Sequence, residues 1–181
     1  MSHAVYSLCC EKWLNKSQPL SDRYRFSVWR PSLFATVPAG LSFTPFFVWW
    51  IFHQLRVFTN RNYSICVIYD GTKLVHRSCV FPRYFRFPFM SKDDLQIGDT
   101  WTDPSYRGQG LAKFGLQEAV RQNSRPGQRF WYVVDCDNTP SINVATSLGF
   151  GLNGEVRRTR RCGLRLLGVF VIEHTAHPTP V

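Results

Sequence analysis

A glycine-rich loop between a strand and a helix is the part of the sequence best suited to bind a ligand. The loop reads Arg107-Gly108-Gln109-Gly110, and from Leu111 onward apolar residues recur with helical spacing. The first turn of a helix has unpaired backbone N–H groups and the positive end of the helix dipole, and glycine lets a ligand approach the backbone closely. The sequence therefore predicts a phosphate or pyrophosphate site at this helix N-terminus.

Three phosphate-binding patterns can be compared with this loop. A dinucleotide-binding loop has a third glycine, but Gly108 and Gly110 are followed by Lys113. A P-loop ends in Gly-Lys followed by Ser or Thr, and this ending is missing here. An acyl-CoA loop has Gln or Arg, then Gly three residues later, then Gly or Ala two residues after that. Arg107, Gly110 and Ala112 fill these positions, so the spacing favours the acyl-CoA loop.

A second pattern follows downstream, after a predicted strand over Gln128 to Asp137. Asn138 comes next, Ser141 lies three residues later, and Gly149-Phe150 lies eleven and twelve residues after Asn138. In their order and separation, the two patterns resemble those of the GNAT superfamily, the Gcn5-related N-acetyltransferases. The resemblance is clear over residues 95–150.

This resemblance implies an α/β (α+β) fold. The expected sheet is mixed and mostly antiparallel, has about six to seven strands, splays apart at the CoA site and is flanked by about four helices. A length of 181 residues suits one domain with its own core. We expect that domain to span residues 1–173, followed by a flexible tail over residues 174–181.

The implied reaction is transfer of an acetyl group from acetyl-CoA, the expected cofactor, to an amine. The resemblance assigns the pyrophosphate to the glycine-rich loop and the pantetheine to the central strand. A backbone N–H near Thr102 suits the developing oxyanion. The residues assigned to the cofactor are Thr100, Trp101, Thr102, Arg107, Gly108, Gln109, Gly110, Leu111, Ala112, Asn138 and Ser141.

The usual proton-transfer residues of the family are missing at the matching positions. Those positions hold Gln96, Gly98, Val133 and Ala145. Asp99 is the nearest carboxylate and the candidate catalytic side chain, although simple alternation puts it on the strand face opposite Thr100 and Thr102. The alternative is a structural role for Asp99, with a water chain as the base and proximity supplying most of the acceleration.

A segment without charged residues, Leu33 to Phe52, precedes the predicted strands of the sheet. Its length would allow a membrane span, but prolines and a glycine interrupt it. We predict instead a loop and then a helix over residues 46–58, with Thr44 as the N-cap and Pro45 at the first helical position.

The family pattern places early helices over the acceptor site, which indicates where substrate contacts should lie. The candidates are Trp49 and His53 from the predicted helix, and Arg83, Tyr84 and Arg86 from the aromatic and basic loop that follows Pro82. Packing in the core is the alternative for the aromatic members.

The formal net charge of +10 suits an anionic cofactor, and also nucleic acid or a membrane surface. We expect a small-molecule amine as acceptor, free or nucleotide-linked. The segment RFPFM before DLQIGDTWT is similar to sugar N-acetyltransferases of bacterial envelope polysaccharide pathways, so an amino sugar is one such acceptor. The alternatives are a protein or peptide N-acetyltransferase, and a non-catalytic module that binds acyl-CoA or nucleic acid.

The six cysteines indicate the compartment. They show no zinc-binding spacing, and no secretion signal precedes them. We therefore expect free thiols, no bound metal and a cytoplasmic protein, either a monomer or a homodimer. No transmembrane segment is expected, and peripheral contact with a membrane stays open.

Overall fold

The computed structural model describes residues 3–10, 19–159 and 168–175, which form one eight-stranded sheet with helices on both faces. The elements in chain order are β1 (His3–Cys9), β2 (Tyr24–Trp29), α1 (Phe43–Gln54), β3 (Ser64–Asp70), β4 (Lys73–Pro82), β5 (Leu95–Thr102), a 3₁₀ turn (Pro104–Tyr106), α2 (Leu111–Asn123), β6 (Arg129–Asp135), α3 (Thr139–Ser147), β7 (Gly151–Arg158) and β8 (Phe170–Thr175).

The strand order in the sheet is β2-β3-β4-β5-β6-β1-β7-β8. Neighbouring strands are antiparallel except β5 and β6, which run parallel. The predicted fold class is therefore confirmed. The described residues contain eight strands and three α-helices, one strand more and one helix fewer than the expected range.

The additional strand, β1, lies inside the sheet between β6 and β7. Val5 is opposite Val133 of β6 and Gly154 of β7. Both faces of β1 are covered, since Tyr6 belongs to the apolar layer under α2 and α3, whereas Val5 belongs to the layer under α1. A strand buried on both faces shows little alternation of apolar and polar residues, and so its sequence gives a weak strand signal.

Helix α1 begins and ends earlier than predicted. Its N-cap is Ser42, and the prediction of Thr44 was wrong. Pro45 lies within the first turn, where a backbone N–H has no intrahelical acceptor. The missing N–H of proline therefore costs the helix no hydrogen bond. Arg56 has a positive φ of 56°, which is incompatible with continuing the helix to residue 58. Within the described residues no helix has both the length and the apolar character needed to cross a membrane.

The last strand, β8, continues to Thr175 and pairs with β7. It therefore includes the first two residues of the predicted tail, and residues 176–181 lie outside the described part of the chain. The division into a domain and a tail stays a prediction.

Candidate active site

Strand β5 separates from β6 partway along its length. The parallel pairing runs from Leu95 to Ile97, which lies opposite Tyr132, and stops there, whereas pairing with β4 continues to Thr102. Asp99 has a positive φ of 45°, at the point where the β4–β5 register shifts. Such a bulge bends a strand, and here it leaves the second half of β5 without its partner on the β6 side.

The glycine-rich loop connects β5 to the N-terminus of α2. Gly110 is the N-cap of α2 and has a left-handed φ of 77°. Gly108 has a φ of 78°, and open space surrounds the position of a Cβ there. Because Gly110 has no side chain to cap the helix, the first N–H groups of α2 are available to an anion. The structure therefore places the predicted pyrophosphate loop where it can bind a phosphate group.

Side chains fasten the start of this loop to the β3–β4 hairpin. The Tyr106 hydroxyl donates to Asp70 Oδ2 at 2.9 Å, and Lys73 Nζ lies 2.9 Å from Asp103 Oδ2. Arg23 also pairs with Asp70. Hydrogen bonds from Arg23 and Tyr106 lower the pKa of Asp70, and the bond from Lys73 lowers the pKa of Asp103. Both carboxylates stay ionised near neutral pH, which keeps the loop in place before a ligand arrives.

The other polar side chains of the loop fold back onto the protein. The Gln109 Oε1 atom accepts a hydrogen bond from the Tyr24 hydroxyl. The Arg107 Nε atom lies 3.4 Å from the backbone oxygen of Thr102. These contacts leave the backbone of the loop, rather than its side chains, as the surface presented to an anion.

A buried histidine links β4 to the hydroxyl groups of β5. His76 Nδ1 lies 2.8 Å from Thr102 Oγ1, and His76 Nε2 lies 3.0 Å from Ser78 Oγ. Ser78 Oγ lies 3.4 Å from Thr100 Oγ1. Burial, with a smaller contribution from Arg77, lowers the pKa of His76 to about 3, so the imidazole is neutral at physiological pH. This network holds Thr100 and Thr102 on the α2 side of the sheet.

The buried imidazole makes stability depend on pH. Above about pH 6.5 it is neutral in both the folded and unfolded states, but between about pH 6.5 and 3 only the unfolded chain binds its proton. We expect His76 to lower the free energy of unfolding by about 2 kcal/mol between pH 7 and pH 5. Urea unfolding of the wild type and of His76→Gln at both pH values measures this contribution. If the free energy of unfolding fell equally in the two proteins between pH 7 and pH 5, the prediction would be contradicted.

Tyr132 is a candidate functional residue that sequence reasoning missed. It lies in the last residue pair before β5 and β6 separate, and its side chain is buried on the α2 and α3 side. Burial raises the pKa of Tyr132, and hydrogen bonding to the hydroxyls of Ser141 and Thr100 partly opposes this rise. The strand pattern around Tyr132 was visible in the sequence, but no local signal shows that three separate elements bring these hydroxyls together.

Asn138 and Ser141 begin α3 beside this gap. Asn138 is the N-cap, and its Oδ1 accepts a hydrogen bond from the Ser141 backbone N–H at 3.3 Å. Asn138 therefore caps the helix locally, whereas the Ser141 hydroxyl lies close enough to Tyr132 to lower the pKa of that phenol. Contact of either residue with CoA stays a prediction.

Asp99 and Trp101 lie on the other face of the sheet, towards α1. Arg77 donates to Asp99 Oδ1 at 2.9 Å, and its guanidinium lies 5.4 Å from the Trp101 ring centroid and 5.3 Å from that of Phe46. The Asp99 side chain is 40% exposed. The bulge therefore does not bring Asp99 to the face of Thr100, and the carboxylate is available from the α1 side.

The predicted acceptor residues lie under and beside α1. The Trp49 and Tyr84 rings pack in the apolar layer, with centroids 5.7 Å apart, and the Arg86 guanidinium lies 5.8 Å from the Tyr84 centroid. The His53 and Tyr63 ring centroids lie 6.3 Å apart, and the Arg83 backbone oxygen accepts a hydrogen bond from the Thr59 backbone N–H. Three of the five residues, Trp49, Tyr84 and Arg86, therefore lie next to one another. Contact of any of the five with an acceptor stays a prediction.

A cavity of about 360 Å³ opens on the α1 side of the sheet near its β2 edge. Val67 in its wall is opposite Arg77, and Arg77 is opposite Trp101, so the cavity and the bulge lie along one row of the sheet. Strand spacing puts β3 about 10 Å from β5 along this row. The residues lining the cavity are Arg25, Ser27, Trp29, Pro38, Ala39, Val67, Tyr69 and Thr72.

Solved structures with this fold include several acetyltransferases. The GCN5-related N-acetyltransferase from Sphaerobacter thermophilus is 14% identical with a TM-score of 0.57, and the match covers 85% of this chain and 49% of that one. A tandem GNAT protein from the clavulanic acid biosynthesis pathway is 15% identical with a TM-score of 0.56, covering 83% and 50%. The Escherichia coli ribosomal-protein-S18-alanine N-acetyltransferase is 17% identical with a TM-score of 0.50, covering 74% and 82%.

These identities support likeness of fold alone, and the chain spans about half the length of the first two structures. No curated protein matches the sequence significantly. A sequence profile of the Acetyltransferase (GNAT) family matches residues 24–150, a segment that contains the bulge in β5, the glycine-rich loop and the capped start of α3. The chain therefore belongs to the Acetyltransferase (GNAT) family.

Proposed function

We propose that the chain is an N-acetyltransferase that transfers an acetyl group from acetyl-CoA to the primary amine of a small or nucleotide-linked acceptor. One observation carries the proposal: a helix N-terminus with no side-chain cap follows, across the glycine-rich loop, a strand that has lost its partner on one side. The helix N-terminus suits a pyrophosphate. The unpaired half of β5 offers backbone groups to the amides of a pantetheine arm and to a developing oxyanion.

Acetyl-CoA, when bound, supplies a thioester that an amine can attack. The chain must then hold the thioester carbonyl near the backbone N–H groups of residues 100–102 and accept a proton from the amine. Asp99 is the carboxylate open to the α1 side of the bulge, and Arg77 fixes its position with two hydrogen bonds. We assign the amine proton to Asp99, taken directly or through one water.

Tyr132 is suited to give a proton to the departing thiolate. Its side chain lies on the α2 and α3 side of the sheet, near the hydroxyls of Thr100 and Ser141 and opposite the face that carries Asp99. Burial raises the pKa of Tyr132, so the phenol keeps its proton at neutral pH. The amine and the thiolate thus exchange protons with different side chains on different faces of the sheet.

Tyr132→Phe is expected to lower kcat about 100-fold while leaving the KM for acetyl-CoA nearly unchanged, because the variant removes only a proton donor. Steady-state thiol release measures both constants. The matched control is Tyr6→Phe, since Tyr6 lies directly opposite Tyr132 on β1 and is also buried. Equal effects of the two variants would show that Tyr132 acts through packing.

The cavity near β2 supports a small acceptor with an anionic group. Its wall includes the Arg25 guanidinium, which stacks on the Tyr69 ring at 5.2 Å. Arg25 is on β2, three strand spacings from β5, so an acceptor at least about 14 Å long could place its amine at the bulge and a phosphate at Arg25. Nucleotide-linked amines and amino-sugar phosphates have this chemistry.

Calorimetric titration with acetyl-CoA tests the proposal first, with NADH and ATP as controls. Thiol release is then measured with amino sugars, nucleotide-linked amino sugars and peptides as acceptors. Turnover with peptides alone would make the chain a peptide N-acetyltransferase. Binding of acetyl-CoA without turnover of any amine would favour a non-catalytic module, and no binding would remove the acyl-CoA site.

A further inference from the structure

The outer side of α1 and the loop before it carry apolar side chains that are exposed and not buried against the sheet. Phe34 is 98% exposed, Leu33 73%, Leu55 71%, Phe43 59% and Val48 43%. Single exposed apolar residues are common, but a group of them confined to one helix and its adjoining loop marks an interaction surface. We call these five residues the apolar patch.

Contacts along α1 hold the apolar patch together. The Phe43 and Phe47 rings stack with centroids 4.9 Å apart, and Phe47 stacks on Trp50 at 5.4 Å. Trp50 Nε1 donates to the backbone oxygen of Ser32 at 2.8 Å, which ties the loop carrying Leu33 and Phe34 to the helix. A ladder of stacked rings therefore links Phe43 to the loop that carries Leu33 and Phe34.

Charge indicates what kind of partner fits this surface. From Pro31 to Leu55 the chain has no Asp, Glu, Lys or Arg, and the first charged residues on either side are Arg30 and Arg56. No acidic residue occurs between Asp22 and Asp70, whereas five arginines do: Arg23, Arg25, Arg30, Arg56 and Arg61. Arg56 directly follows Leu55 of the apolar patch, and Arg61 lies five residues further on. Apolar and aromatic side chains next to arginines suit an anionic lipid surface. A second copy would bring the same cationic residues against each other.

We infer that the apolar patch docks on the surface of a bilayer that contains anionic lipid. Phe34 and Phe43 enter the interface between headgroups and acyl chains, and Arg56 and Arg61 contact lipid phosphates. Because α1 covers the sheet face that carries Asp99, docking holds that face beside the membrane. The inference does not depend on acetyl transfer.

Vesicle flotation tests the inference with the whole chain. The vesicles are phosphatidylcholine with phosphatidylserine at about 70:30, compared with pure phosphatidylcholine, in about 0.1 M salt. We expect flotation with the anionic vesicles, and about a tenfold weaker partition for the Phe34→Ser/Phe43→Ser double variant. The matched control is Leu152→Ser/Val171→Ser, which removes apolar side chains that are 50% and 45% exposed on β7 and β8. It should partition like the wild type.

The charged residues need a separate variant. Arg56→Gln/Arg61→Gln should lose most of the preference for anionic vesicles, whereas Arg157→Gln on β7 should keep it. Circular dichroism melting shows whether each variant stays folded. Failure of the wild type to float, or equal flotation of the apolar-patch variant and its control, would overturn the inference. So would a dimer in sedimentation velocity that the Phe34→Ser/Phe43→Ser variant alone converts to a monomer, since the patch would then bind a second copy.

Discussion

Gly110→Asp is expected to abolish measurable binding of acetyl-CoA, with Kd raised at least about 100-fold. The new carboxylate would stand at the N-cap of α2, where the cofactor's pyrophosphate is proposed to lie. Two unit charges about 4 Å apart near a protein surface repel each other by roughly 4 kcal/mol, which exceeds the energy of a 100-fold change. Calorimetric titration measures the loss directly.

The Gly110→Asn variant distinguishes the effect of the added charge on binding from the effect of the added side-chain volume. Asn has nearly the same shape as Asp, and both tolerate the left-handed φ of 77° better than most residues. The two variants should therefore fold alike. We expect Asn to weaken binding much less than Asp. Equal losses would show that the loop contributes through its shape, and unchanged affinity of Gly110→Asp would remove the loop from the cofactor site.

The glycine-rich loop and its helix could be predicted from the sequence because their signals are local. The glycines and the helical spacing after Leu111 lie within one short stretch, and the structure confirms the helix. The N-cap role of Asn138 is likewise a relation between residues three positions apart. Signals of this kind need no knowledge of which strands are neighbours.

The order of the strands in the sheet could not be predicted from local signals of this kind. β1 begins near the chain start but lies between β6 and β7, so its partners are more than a hundred residues away. Burial on both faces also removed the alternation that marks a strand. The hydroxyls around Tyr132 depend on this order too, because they come from β5, β6 and α3. Proximity across the sheet, rather than any sequence pattern, makes Tyr132 a candidate.

Gly115 and His76 illustrate the same limit of prediction from sequence, here for side-chain packing. A glycine inside a helix costs about 1 kcal/mol relative to alanine, and the sequence offers no reason for one in the middle of α2. In the structure, a Cβ at Gly115 would lie 2.2 Å from His76 Nε2. The glycine therefore makes room for an imidazole that comes from another element.

Gly115→Ala is accordingly expected to destabilise the fold by about 3 kcal/mol, despite the better helix propensity of alanine. The imidazole cannot move aside freely, because Thr102 and Ser78 hold its two nitrogens at 2.8 and 3.0 Å in a fully buried position. Either α2 shifts away from β4 or His76 leaves its buried hydrogen bonds, and each change costs about 1–3 kcal/mol. Urea unfolding at pH 7 measures the loss.

A double-mutant cycle separates this clash from a general intolerance of α2 to change. In a His76→Ala background the imidazole is gone, so Gly115→Ala should become neutral or stabilise the helix by up to about 1 kcal/mol. The reversal of sign is the expected result, because it requires direct contact between the two positions. The same loss in both backgrounds would mean that Gly115 is needed for some reason other than the imidazole.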